Sequence, residues 1–203
     1  MKKLILALAI IFCAIYSVNS QESHFGVKAG VNFASIGGDD TEDADGRTSF
    51  HVGVLAELMF TDQFGIQPEV LYSSQGAKAE DSESGFTAKG ELKLDYINVP
   101  ILAKYIFSPG FSAHLGPQIG FLTNAELEYE ESFGGETISG TEDVKEFMND
   151  IDFGVAGGLG YKLDMGLFFN ARYVLGISDI NDDDDSDYSQ QNNVFQFSVG
   201  YMF

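Results

Sequence analysis

An all-β fold, an eight-stranded antiparallel up-and-down β-barrel, is predicted by three features of this 203-residue sequence. Eight segments alternate apolar residues with small or polar ones at a period of two, the signature of strands with two unlike faces. Short connections alternate with long acidic ones. The chain ends on NVFQFSVGYMF, with an apolar side chain at every second position up to its last residue.

The first twenty residues are set apart from this pattern. Lys2 and Lys3 precede an apolar run from Leu4 to Val18, and Val18-Asn19-Ser20 offers the small residues of a cleavage site. Residues 1–20 therefore read as a secretory signal peptide, removed before Gln21, and 21–203 as the barrel domain. The run is short for a transmembrane helix. Cys13 follows bulky Phe12, which does not suit lipid attachment, and it is the sole cysteine, so disulfides and thiolate sites are excluded from 21–203. The three histidines (His24, His51 and His114) are too scattered for a zinc motif.

The strands follow in order. In 24–35, Phe25, Val27, Ala29, Val31 and Phe33 alternate with His24, Gly26, Lys28, Gly30 and Asn32. In 49–60, Phe50, Val52, Val54, Ala56, Leu58 and Phe60 oppose His51, Gly53, Leu55, Glu57 and Met59. The short TDQ turn leads to Phe64, Ile66, Pro68, Val70 and Tyr72 against Gln67, Glu69 and Ser73. Segment 97–107 sets Ile97, Val99, Ile101, Ala103, Tyr105 and Phe107 against Asn98, Pro100, Leu102, Lys104 and Ile106. After SPG come Phe111, Ala113, Leu115, Pro117, Ile119 and Phe121 against Ser112, His114, Gly116, Gln118 and Gly120. Ile151, Phe153, Val155, Leu159 and Tyr161 oppose Asp152, Gly154, Ala156, Gly158, Gly160 and Lys162. Across DMG, Leu167, Phe169, Ala171, Tyr173, Leu175 and Ile177 oppose Phe168, Asn170, Arg172 and Gly176, and the last strand sets Phe195, Phe197, Val199, Tyr201 and Phe203 against Gln196, Ser198, Gly200 and Met202. Pro68, Pro100 and Pro117 fall inside strands, where a closed barrel has no free edge, so bulges or water-satisfied carbonyls are expected there.

Periodicity alone does not say which face points outward, and a soluble lipocalin-type barrel would turn the apolar face in. Two features point the other way. The second face is Gly, Ser, Asn, Gln and Ala with a few ions, too poor in charge for a solvated exterior and small enough for a narrow lumen. The outward aromatics also gather at strand ends: Phe25, Phe60, Phe64, Phe107, Phe111, Tyr161 and Phe203 at the short-turn end, and Phe33, Phe50, Tyr72, Phe121, Phe153 and Tyr173 at the other. Such girdles mark the two interfaces of a bilayer, which gives a transmembrane barrel with short periplasmic turns and long acidic extracellular loops. Ending on Phe203 keeps the last strand lipid-facing to its periplasmic end.

Charge is segregated accordingly. The net charge is −20, and the segments 37–46, 79–84, 124–150 and 178–189, read as loops, hold 23 of the 31 acidic residues. A chain of this sign repels nucleic acid. The inward ions are Lys28, Glu57, Glu69, Lys104, Asp152, Lys162 and Arg172, and burial requires that they pair. The loop residues Asp182, Asp183, Asp184, Asp185 and Asp187 could hold a divalent cation weakly, although the glycine and final glutamate of an EF-hand loop are missing. Ser112 and His114 share a face, but it is the lumen face and no third group orients them. GVAGGLG lacks the helix that a dinucleotide fingerprint requires, and reads as lumen glycines.

YINVPILAKYIF (96–107), GPQIGF (116–121), DFGVAGGLGYKL (152–163), ARYVLGISDI (171–180) and FSVGYMF resemble the PorT-like, porin-family outer-membrane β-barrel domain common in Bacteroidetes. The resemblance covers nearly all of 21–203 and implies an eight-stranded barrel in the outer membrane; one branch of that family is linked to protein secretion. The expectation is a non-enzymatic protein without a cofactor, with a structural or surface-binding role and a side-chain-filled lumen. The alternatives are a narrow channel for ions or small solutes and an accessory of a secretion system. Its expected partners are outer-membrane lipid and lipopolysaccharide, the barrel-insertion machinery through the C-terminal strand, and an unidentified surface or secretion partner.

Overall fold

The computed structural model describes residues 23–38, 45–83, 86–134, 136–182 and 189–203; residues 1–20, read from the sequence as a signal peptide, lie outside them. Nine strands appear: β1 (Ser23–Gly38), β2 (Asp45–Met59), β3 (Phe64–Glu83), β4 (Phe86–Ser108), β5 (Phe111–Phe133), β6 (Glu136–Asp143), β7 (Ile151–Lys162), β8 (Leu167–Gly176) and β9 (Gln190–Met202). All pairings between them are antiparallel. Eight strands close a ring, because β9 returns to β1 in register from Gly26–Met202 to Gly38–Gln190 and β4 pairs with β5. The sixth strand stands outside that ring and pairs only with the upper part of β5, from Glu126–Asp143 to Phe133–Glu136.

The short turns are locally encoded. At the first, the Thr61 hydroxyl accepts the Phe64 N–H at 2.9 Å, and the Phe60 N–H donates to the Phe64 carbonyl at 2.8 Å. The other two need left-handed backbone, which glycine supplies at Gly110 (φ 79°) and Gly166 (φ 91°).

Segments 79–84 and 124–150, expected to be loops, are largely strand. A tilted strand crosses a bilayer in about 9–11 residues, whereas β4 and β5 each run for 23 and β3 for 20. Their surplus forms a four-stranded blade, β3-β4-β5-β6, rising past the ring. Both faces of the blade meet water, and its acidic residues give it the composition of a loop. The bulges are also elsewhere than expected. Register is continuous through the prolines: Pro68–Ile101 and Leu71–Asn98 share one offset, as do Pro100–Gln118 and Ala103–Leu115. Proline lacks a donor but keeps an extended φ, so the ladder skips two pairs beside it without needing an extra residue. The register shifts fall between Gly46 and His51 on β2, between Ile106 and Ser108 on β4, and at Thr123, the additional residue between Asp95–Asn124 and Tyr96–Leu122, which turns both Leu122 and Ala125 inward.

The ring's outer wall follows the expected apolar set, with Val54, Leu115, Leu159 and Phe197 at least half exposed, but Ala56 and Leu58 of that set are buried. The interior is layered. Leu55, Phe168 and Met202 pack near the short-turn end, Ala34, Leu102, Ala156, Val174 and Val194 form a second apolar cluster, and Ile36, Ala77, Leu94, Tyr96, Leu122, Ala125 and Ile180 seal the opposite mouth.

Candidate functional site

Between these apolar layers lies one connected polar network. Glu69, on β3, has both carboxylate oxygens occupied: Oε1 accepts from Arg172 Nη2 at 2.7 Å and Gln67 Nε2 at 2.7 Å, and Oε2 from Arg172 Nη1 at 2.9 Å and Lys28 Nζ at 2.7 Å. The two Arg172 bonds make a bidentate fork across the lumen, the geometry in which guanidinium and carboxylate match best. A second centre surrounds Glu57, which accepts from Lys104 and, at 3.1 Å, from Lys162. Gln67 joins the two, its Oε1 accepting from Lys104 Nζ at 3.3 Å. Lys28, Glu57, Glu69 and Arg172 are almost wholly buried. Four cations here face two carboxylates, so the network carries a positive excess.

Asp152 stands apart from this network and has no cation within salt-bridge reach among the described residues. Its Oδ1 accepts the Ser178 hydroxyl at 2.7 Å instead. The expectation that every lumen ion finds an opposite charge is corrected here. Asp152 is the second residue of β7, half-buried at the long-loop rim, where Ser178 and Asn192 hydrogen-bond it.

Uncharged groups missed in the sequence complete the filling. His51 bonds Asn32 Oδ1 and the Ser198 hydroxyl, each at 2.8 Å, Asn32 also accepts from Gln196 at 3.0 Å, and Asn192 donates to Gln75. Their only signal in the sequence is that they share the parity of the inward ions. His114 accepts the Arg172 Nε–H at Nε2, at 3.2 Å, so that nitrogen is engaged by the guanidinium and unavailable to Ser112. Glycine makes room for this layer: a Cβ on Gly30 would stand 2.6 Å from the His51 ring and one on Gly158 2.8 Å from His114 Nε2. Asn98 Nδ2, Gln118 Oε1, Asn170 Oδ1, Asn192 Oδ1 and Gln196 Oε1 are buried without a protein partner.

The second region is the blade. Its cations each hold an acid: Arg47 and Lys78 both hold Glu91, at 2.8 and 3.1 Å, Lys89 meets Glu80 at 3.4 Å, and Lys93 meets Glu128 on β5 at 2.5 Å. Lys78, Glu80, Lys89, Glu91 and Glu128 line an open cleft of about 810 Å³ together with Ser139–Thr141 of β6. Burial acts to raise the Glu91 carboxyl, but the hydrogen bonds and charges of Arg47 and Lys78 outweigh it and hold the group below the ordinary carboxylate range. A carboxyl depressed in the folded state stabilises it above the unfolded pKa, and that contribution is lost as pH falls through the folded value. Amide exchange in 78–83 and 86–91, corrected for the intrinsic rate, is therefore expected to lose protection below the usual glutamate range of about pH 4.3, and Glu91→Gln is expected to abolish that pH dependence.

The remaining expected site residues fall as follows. Phe25, Phe60, Phe64, Phe107, Phe111, Tyr161 and Phe203 are all exposed around the short-turn end, with ring centroids 6.2 Å apart for Phe107–Phe111, 4.5 Å for Phe111–Tyr161 and 4.6 Å for Phe64–Tyr105. Asp182 is exposed, and its N–H donates to the Phe147 carbonyl at 3.0 Å. Asp183, Asp184, Asp185 and Asp187 lie outside the described residues, and no group of metal-ligating side chains occurs among those described.

A closed eight-strand ring with an apolar exterior, aromatic rims and an ionic interior defines a small outer-membrane barrel. The chain belongs to the outer membrane protein beta-barrel domain family, whose profile matches residues 19–182; the strand that closes the ring, β9, lies beyond that match. Its location is accordingly the bacterial outer membrane. Similar solved structures include the attachment invasion locus protein Ail of Yersinia pestis, with 14% identity and a TM-score of 0.51, covering 90% of this chain and 99% of that one. Neisserial surface protein A is also similar, at 16% identity and a TM-score of 0.52 over 90% of this chain and 99% of that one. At these identities the likeness is one of fold. No curated protein sequence matches the chain.

Proposed function

We propose that this barrel is a non-enzymatic surface module: a closed lumen acts as a rigid base, and the β3–β6 blade, carried on the extracellular side, does the binding. The observation that carries this reading is Glu69, buried in mid-lumen with Arg172, Lys28 and Gln67 on its two oxygens. A side chain so enclosed leaves no continuous path beside it. In planar bilayers the purified chain is expected to produce no unitary conductance steps, while the blade of whole cells is expected to be open to added protease. Discrete steps at neutral pH would reject the closed lumen.

The buried amide atoms of Asn98, Gln118, Asn170, Asn192 and Gln196 without a protein partner favour a second reading, a narrow path filled by water. If the lumen conducts, its positive excess selects anions over cations. The reversal potential in a salt gradient reads that sign.

The resemblance to the PorT-like, porin-family barrel domain rests on the motifs at 96–107, 116–121, 152–163 and 171–180 and on the closing FSVGYMF; one branch of that family is linked to secretion, and these motifs do not single that branch out. Export by the signal peptide, recognition of the Phe195–Phe203 strand by the insertion machinery, and contact of the acidic segments with lipopolysaccharide through divalent ions belong to the same proposal. Cross-linking in intact outer membranes tests the secretion partner: recovery of the barrel alone counts against it.

A further inference from the structure

The sixth strand offers an edge. It pairs with β5 through eight consecutive residues without a register shift, and among the described residues no strand pairs with its other side. Natural sheets blunt such edges with lysine, proline, a bulge or a covering segment. Strand ETISGTED has neither lysine nor proline, its register shows no bulge, and its residues are exposed except for half-buried Gly140.

Charge selects what this edge can accept. The described cations of the blade, Arg47, Lys78, Lys89 and Lys93, are engaged by Glu91, Glu80 and Glu128. On the β5–β6 side, none of Glu126, Glu130, Glu131, Glu136, Glu142 and Asp143 has a cation within salt-bridge reach among the described residues. A second copy of β6 is a poor occupant, because antiparallel self-pairing about Ser139–Gly140 would set Glu136 against Asp143 and Thr137 against Glu142, and like charges directly opposite destabilise a pair. We propose that the open edge of β6 receives an extended, lysine- or arginine-rich polypeptide segment as an added strand, with backbone hydrogen bonds supplying affinity and the unpaired acids of β5 and β6 selecting a cationic sequence.

This inference rests on the surface-module reading and names its site and the chemistry of its partner. The test uses the full mature chain in phospholipid nanodiscs and a fluorescent peptide that alternates Lys with Thr and Val. The peptide is expected to bind, to slow amide exchange within Glu136–Asp143 several-fold, and to weaken about tenfold with added salt as its charges are screened. A peptide of the same sequence, N-methylated along one edge, keeps the charge but loses the donors, and should bind at least about tenfold more weakly. The triple variant Glu136→Gln, Glu142→Gln, Asp143→Asn alters exposed side chains only and should lower affinity by a similar factor while leaving the barrel folded. Equal binding of the N-methylated peptide would overturn the proposal by reducing the site to bulk charge. Protection appearing elsewhere, dimerisation through β6, or no binding to the folded chain would overturn it too. Those failures leave the closed-lumen reading standing, since conductance and protease access are measured without the peptide.

Discussion

Glu69→Gln is expected to lower the unfolding free energy by about 3–5 kcal/mol, the usual consequence of stripping one partner from a buried ionic cluster. The substitution keeps the volume and the Gln67 neighbour but removes the charge that Lys28 and Arg172 share at 2.7 Å each. Two cations would then remain in the barrel centre with no carboxylate between them. The loss should be read by urea unfolding in lipid, followed by circular dichroism and by the mobility of unheated samples in gel electrophoresis. The second variant Glu69→Gln/Lys28→Met removes one of the stranded cations and should regain part of the loss. A decrease below about 1 kcal/mol, the size typical of solvent-exposed pairs, would mean that water screens the cluster and that the lumen is open.

Val199→Arg is the second large effect, expected to cost about 2–4 kcal/mol in a bilayer. Val199 lies on the outer wall, paired with Ala29 and Phe169, midway along β9 between Phe195 and Phe203. Arginine there must carry its charge to the nearest headgroups or drag water to the midplane. Phe203→Arg, at the rim, should cost only about 0–1 kcal/mol for the charge itself. The two variants are compared by equilibrium unfolding in the same lipid vesicles. Equal costs would remove Val199 from the hydrocarbon centre and with it the assignment of the apolar face to lipid.

The ring was legible because each of its strands separates an apolar wall from a polar interior, and a period of two records that separation directly. Phe195, Phe197, Val199 and Tyr201 against Gln196, Ser198 and Gly200 state both faces of β9 before any fold is known. The blade was missed although Leu127 and Tyr129 alternate with Glu126, Glu128 and Glu130, because a run so rich in acid reads as loop. Parity gave the inward ions, and through them the residues that could meet. It did not distinguish Asp152, at the rim with Ser178, from Glu69, at the centre with Arg172. The prolines misled for a related reason: a missing donor predicts a lost ladder bond, not the added residue of a bulge.

Residue order alone, then, determines the count of wall-forming strands, the direction of each side chain and the apolar belt, because these follow from local alternation and from glycine at two of the three short turns. Which ions touch, that Gln67 links two carboxylate centres, and that β6 is left with one unpaired edge are decided only when strands far apart in the chain close the ring. Glu69 and Arg172 are 103 residues apart, and nothing in either neighbourhood encodes the other; their contact is fixed by the stagger of the strands between them.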